Sequence, residues 1–229
     1  MHPVLAALDA RRDRLEQPPL SNLEGRFHSH VTLRVPAALP ADLRATLERL
    51  ATAHRAKLTV IELADLDRRV ERDVMFTRYF VDDQPGAVAR IADDLRVTVT
   101  GLLEAHVEPI RVKIEHESLP SLEFFDAERY HEVHIKLSID AEAFDETYAW
   151  LEQAGRDVGW RPSRNPYERR NDQVVQFVTL RAYKGDRAAV DARVLHAVTL
   201  LEVQGLVPVE IKRETTVLDT RRAHDAWWA

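Results

Sequence analysis

Hydrophobic and polar residues alternate along several short stretches of the chain, and between those stretches apolar residues recur at helical spacing. Val31, Leu33 and Val35 alternate with His30, Thr32 and Arg34; Val133, Ile135, Leu137 and Ile139 alternate with Glu132, His134, Lys136 and Ser138. Successive side chains on a strand point to opposite sides, so period-two alternation marks a strand with one buried face. On this basis the chain predicts a strand at 27–35, a helix at 40–53, strands at 57–63 and 72–80, a helix at 85–105 and a strand at 109–116. The same order follows again: strand 131–139, helix 141–154, strands 157–162 and 173–183, helix 186–203 and strand 207–217. Asp83 stands where a cap for helix 85–105 is expected, and Gly205 where helix 186–203 should stop.

Local sequence repeats with the pattern. Superposing His30 on His134 aligns the two first strands at an offset of 104, and Pro109-Ile110-Arg111-Val112-Lys113-Ile114-Glu115 aligns with Pro208-Val209-Glu210-Ile211-Lys212-Arg213-Glu214 at 99. Arg78 falls near Arg181 at 103. Three matches in one order point to a duplication. A strand-helix-strand-strand-helix-strand unit is the ferredoxin-like split βαβ, an antiparallel sheet with both helices on one face. The expected class is therefore α+β: a tandem duplication of a ferredoxin-like βαββαβ unit, two antiparallel sheets with open polar faces toward each other. Residues 1–26 read as an N-terminal helix and linker, 27–117 as the first repeat, 118–129 as a connector, 130–217 as the second repeat and 218–229 as a tail in which Trp227 and Trp228 are expected to dock.

A length of 229 residues gives each unit enough chain to bury its own core. Cysteine is absent, which excludes disulfides, thiolate catalysis and cysteine metal sites. Charged residues interrupt any apolar run in 1–26, so neither a leader nor a membrane span is expected, and a cytoplasmic location follows by default. The formal net charge of −6 argues against nucleic acid as the main ligand. Seven glycines and no glycine-rich loop argue against nucleotide-binding motifs of the phosphate-loop kind.

Against this acidic background the polar strand faces are basic. Arg34, Arg78, Arg111, Lys113, Lys136, Arg181 and Lys212 outnumber Glu115, Glu132, Glu210 and Glu214 there, with His28, His30 and His134 among them. Arginine and lysine supply the donors that phosphate and carboxylate need, so a small anionic partner is expected. Histidine is the side chain whose ordinary pKa suits proton transfer near neutral pH. The candidate catalytic residues are His30, His134, Glu115 and Glu214, and the candidate substrate-binding residues are Thr32, Arg78, Lys113, Lys136, Arg181 and Lys212. The arginine-rich loop 163–171 could add donors at the mouth. No cofactor is required by this scheme, although His30 with Glu115 and His134 with Glu214 form a two-His, two-Glu set that would suit a divalent metal. A large apolar patch would instead mark a non-enzymatic interaction module.

His30-Val31-Thr32-Leu33 resembles the His-x-Thr-x element of the 2H phosphoesterases, two-lobed proteins in which each lobe contributes one such element to a phosphate-ester site. The resemblance implies a general acid or base at His30 and a phosphate donor at Thr32. The matching element, His134-Ile135-Lys136-Leu137, has lysine in place of the second hydroxyl residue. Glu132-Val133-His134-Ile135-Lys136 is similar to the Glu-x-Glu-x-Lys strand of the triphosphate tunnel enzymes, with histidine at the centre.

Overall fold

The computed structural model describes residues 1–36, 39–64, 70–117, 129–170, 172–183 and 187–221. Two short helices, α1 (Pro3–Asp9) and α2 (Arg12–Leu15), lead into β1 (Gly25–Leu33), α3 (Ala41–Ala53), β2 (Lys57–Ala64), β3 (Val70–Asp82), α4 (Ala87–Glu104) and β4 (Pro109–His116). The order then repeats with β5 (Tyr130–Asp140), α5 (Phe144–Val158), β6 (Trp160–Arg170), β7 (Gln173–Ala182), α6 (Arg187–Val203) and β8 (Pro208–Asp219). The strand order is β4-β1-β3-β2 in the first repeat and β8-β5-β7-β6 in the second. The chain is therefore α+β and a duplication of the ferredoxin-like unit. Two compact units divide it as residues 1–59, 73–117 and 216–229 on one side and 60–72 and 118–215 on the other.

In the first unit β1 pairs antiparallel with both β3 and β4, which fixes the faces. Val31 stands between Phe76 and Val112, and Ser29 between Arg78 and Ile114. These residues look toward the helices, where α4 buries Val88, Ile91, Leu95, Val99 and Leu102. Fully burying an aliphatic side chain of this size stabilises by roughly 1.5–3 kcal/mol, so this row dominates the unit's core. The opposite face carries His28, His30, Thr32, Lys113, Glu115 and Thr77. In the second unit the corresponding core gathers Val133, Ile135, Leu137, Val178 and Leu180 with Leu151, Val190, Val194 and Leu201 of α5 and α6.

Termini and turns follow local chemistry. Helix α6 stops before Gly205, whose φ of 75° is costly for any residue with a Cβ, and the Leu206 N–H closes onto the Leu201 carbonyl. Gly155 in α5 is required by space: a Cβ there would come within 2.6 Å of the Trp160 carbonyl oxygen. That close approach lets the buried Trp160 indole donate to the Leu151 carbonyl at 2.8 Å.

Several expectations are corrected. Asp83 does not cap α4: Gly86 occupies the N-cap, and its neighbour Asp82 instead accepts from the Gln84 N–H and pairs with Arg90 at 2.7 Å. Residues 1–26 are more than a helix and loose linker. Leu8, Leu15, Leu20 and Leu23 are buried, α1 and α2 pack against α4, and Asp9 pairs with Arg96 at 2.7 Å. The stretch 163–170 belongs to strand β6 rather than to a loop; its side chains from 164 onward lie outside the described residues, as do the connector 118–128 and Trp227 and Trp228.

Candidate functional site: a repeated Thr-His-Glu-Lys network

Each unit carries the same four-residue network on the sheet face away from its helices. In the first, the His30 ring lies between Thr77 and Glu115, with Nδ1 at 3.1 Å from Thr77 Oγ1 and Nε2 at 2.9 Å from Glu115 Oε2. The Lys113 ammonium stands 2.7 Å from the other oxygen of Glu115. In the second, His134 Nδ1 is 2.9 Å from Thr179 Oγ1, its Nε2 is 3.4 Å from Glu214 Oε2, and Lys212 Nζ is 2.9 Å from Glu214 Oε1. The pairings arise from the register, which sets His30 opposite Thr77 and Lys113, and His134 opposite Thr179.

A buried carboxylate must be paired to remain charged. Side-chain exposure is 1% for Glu115 and 3% for Glu214, against 17% for His30 and 28% for His134. Burial works to raise the Glu214 pKa, but hydrogen bonding and charge attraction from His134 and Lys212 outweigh it and hold the carboxyl at about 2. An ionised carboxylate on Nε2 fixes the ring's orientation, the arrangement of an acid–base histidine.

Around the networks the units diverge. His28, two residues before His30 on the same face, has Nε2 at 2.9 Å from Glu117 Oε1 and packs edge-on against Tyr79, ring centroids 4.1 Å apart. Where the first unit has His28 and Tyr79, the second has Glu132 and Arg181, which pair with each other. Arg111 of β4 is buried and forks onto buried Asp219, with Nε at 2.8 Å from Oδ1; burial opposes ionisation of Asp219, and Arg111 outweighs it, lowering the pKa. His131 is buried on the helix side of β5, where its Nδ1 meets Thr215 Oγ1 at 2.9 Å and burial lowers its pKa.

The anion-binding set of the sequence reading thus changes. Arg78 is not on the open face: it stands beside Ser29 and Ile114 and pairs with Asp94 of α4. Aligning Thr77 with Thr179 gives an offset of 102, which places Arg78 on Leu180 and Tyr79 on Arg181. The assumed offset of 103 was one residue too long, and on a strand one residue exchanges the faces. Arg181 does lie on the open face, but its guanidinium is engaged by Glu132. Lys113 and Lys212 sit on the glutamates of their own networks. Lys136 lies over the Phe177 ring, 5.7 Å from its centroid, and Thr32 is buried opposite Arg111. The residues that sequence reasoning missed are Thr77, Thr179, Tyr79, Glu117 and Asp219. An apolar-Thr pair shared by Phe76-Thr77 and Val178-Thr179 was the available signal for the first two.

Within the first unit, His28, His30 and Glu115 each bring one ligand atom into a set lying within 4.8 Å of one another. These residues could hold a metal. No helix among the described residues is long and apolar enough to cross a membrane.

No family model matches the chain, and no curated protein matches it. Among solved structures it is similar to a variant chlorite dismutase from Candidatus Nitrospira defluvii, at 13% identity over 95% of this chain and 100% of that one, with a TM-score of 0.30. The imidazole complex of chlorite dismutase from the same source gives 14% identity, 95% and 99% coverage and a TM-score of 0.29. An unknown protein from Galdieria sulphuraria gives 12% identity, 85% and 100% coverage and a TM-score of 0.25.

Proposed function

We propose that the protein binds a small phosphorylated or polyanionic molecule and acts on it by proton transfer, as a phosphoesterase-like hydrolase, with His134 as the transferring group. The observation that carries this reading is the recurrence of one Thr-His-Glu-Lys network in both units. Two strands can share an apolar pattern for packing alone; a histidine held between a hydroxyl and a buried, lysine-paired carboxylate is a more specific arrangement, and it occurs twice. His134 is favoured over His30 because its Nε2 contact with Glu214 is the longer, 3.4 Å against 2.9 Å, and its ring is the more exposed. An incoming phosphoryl oxygen can displace a long contact at small cost, and such contacts often tighten only when substrate binds. Lys212 and Lys136, on the same face, supply positive charge, while Glu214 holds the ring in place.

Thermal-shift measurements against nucleotides, cyclic phosphates, polyphosphate and sugar phosphates test the reading, since a ligand that binds only the folded state raises the melting temperature by mass action. At least one of these anions should raise the midpoint at millimolar concentration, and His134→Ala or Lys212→Met should abolish the shift while the protein stays folded. Absence of any shift in the wild type would contradict the reading.

A further inference from the structure

The first unit holds one feature that the second lacks, a second imidazole beside its network. His28 and His30 are alternate residues of β1 and so share a face, and Glu115 lies directly opposite His28 across the β1–β4 pairing. Strand β1 is paired on both sides, with β3 and β4, which fixes the three side chains on rigid backbone rather than on loops. Their ligand atoms already lie within 4.8 Å of one another, and all three residues are shielded: Glu115 and His28 are buried and His30 is nearly so.

From this geometry we propose that a ring nitrogen of His28, Nε2 of His30 and a carboxylate oxygen of Glu115 form a binding site for one divalent transition metal of the zinc, cobalt or iron class. The donor set decides the class. Imidazole nitrogen suits these ions, whereas magnesium and calcium favour all-oxygen shells. Two histidines and one carboxylate leave coordination positions for water or substrate, the ligand count of catalytic rather than closed structural zinc. Ligand atoms around tetrahedral zinc stand roughly 3.4 Å apart, so closing the set takes movements of about an ångström.

The outer partners are in place as well. Thr77 Oγ1 meets the remaining nitrogen of His30 and is itself met by Thr59 Oγ1 at 3.0 Å, a hydroxyl pair that can accept the Nδ1 proton while Nε2 faces the metal. Tyr79 packs edge-on against the His28 ring and limits its rotation. Lys113 occupies Glu115 Oε1, so Oε2, on the side of His30, is the oxygen presented to the ion. Glu117, which also pairs with Arg26 at 3.3 Å, holds His28 Nε2 at 2.9 Å and so orients the ring. In the second unit the position of His28 is Glu132, and its carboxylate is engaged by Arg181, so the shared network there has no second nitrogen to offer. The proposal goes beyond proton transfer at His134 and does not depend on it.

Titration of the full-length protein with Zn²⁺ by calorimetry, and with Co²⁺ by visible absorption, tests the site. One equivalent should bind with micromolar or tighter affinity, Co²⁺ should develop the d–d bands of a nitrogen-containing site, and millimolar Mg²⁺ should not compete. His28→Gln should weaken binding by at least about a hundredfold, more than the 10–100-fold typical of losing an outer partner such as Thr77. His196→Ala, at an exposed position of α6, should leave metal affinity unchanged. Thr77→Val should weaken binding about tenfold and Thr77→Ser should restore it. Binding weaker than millimolar in the wild type, full affinity in a folded His28→Gln protein, or equal competition by Mg²⁺ would each overturn the proposal.

Discussion

In the first unit His30 lies between Thr77 and Glu115, and in the second His134 lies between Thr179 and Glu214, with Lys113 and Lys212 on the far carboxylate oxygens. Two residues before each histidine the units part. His28 with Tyr79 in one becomes Glu132 with Arg181 in the other, and Arg111, buried on Asp219, becomes the exposed Glu210. A network kept in both copies while its neighbours change chemistry is one whose geometry the fold supports at low cost. The neighbours then differ in chemistry: a second imidazole, with nitrogen and oxygen ligand atoms within 4.8 Å, in the first, and in the second a face that carries lysines and an imidazole 3.4 Å from its carboxylate.

The largest contrast is expected at the pair Arg111 and Glu210. Arg111→Ala strands the buried Asp219 without its main partner, and breaking a buried ion pair costs about 3–5 kcal/mol. Glu210→Ala, at the matching position of an exposed surface, should change stability by less than about 0.5 kcal/mol. Urea unfolding of both variants measures the difference; equal losses would mean that the divergence between units has no energetic content.

Glu214 sharpens the comparison through pH. Its carboxyl is held at about 2 against an ordinary 4.5, because His134 and Lys212 outweigh the opposing effect of burial. A depressed carboxylate pKa contributes stability that is present above the unfolded value and lost as pH falls through the folded one. The contribution, on the order of 3 kcal/mol, should therefore disappear between about pH 4.5 and pH 2. In Glu214→Gln the stability-versus-pH curve should be flatter across that window. An unchanged slope would show that the network does not hold the charge.

Smaller effects should reveal what the units have in common. Thr77→Val and Thr179→Val each remove one hydrogen bond to a histidine Nδ1 and should each cost about 1 kcal/mol, with serine restoring it. A loss in only one unit would break the equivalence of the two networks.

Much of this was legible in the sequence because alternation and helix periodicity are local. The boundaries of β4 and of helices α3 and α6 fall within a residue of the reading, and the polar faces of β1, β4 and β5 are as expected. Strand β3 was not, since its face depends on pairing with β1, a long-range register that a lone chain does not display. There Arg78 interrupts the apolar row of Val74 and Phe76, and it does so by reaching Asp94 of α4. The candidate histidines and glutamates were readable as aligned pairs. Their threonine partners were not, because a threonine in a strand carries no mark of function until the register places it against an imidazole. Nor could charge alone tell that Arg111, Arg181, Lys113 and Lys212 are already matched by carboxylates.

Anomalous scattering from crystals grown with equimolar zinc and recorded above the zinc edge tests most directly whether the flanking residues, rather than the shared network, determine binding. One peak per chain is expected, coordinated by His28, His30 and Glu115, with no density at His134. A peak of equal height on His134, or none among the three first-unit ligands, would contradict the assignment.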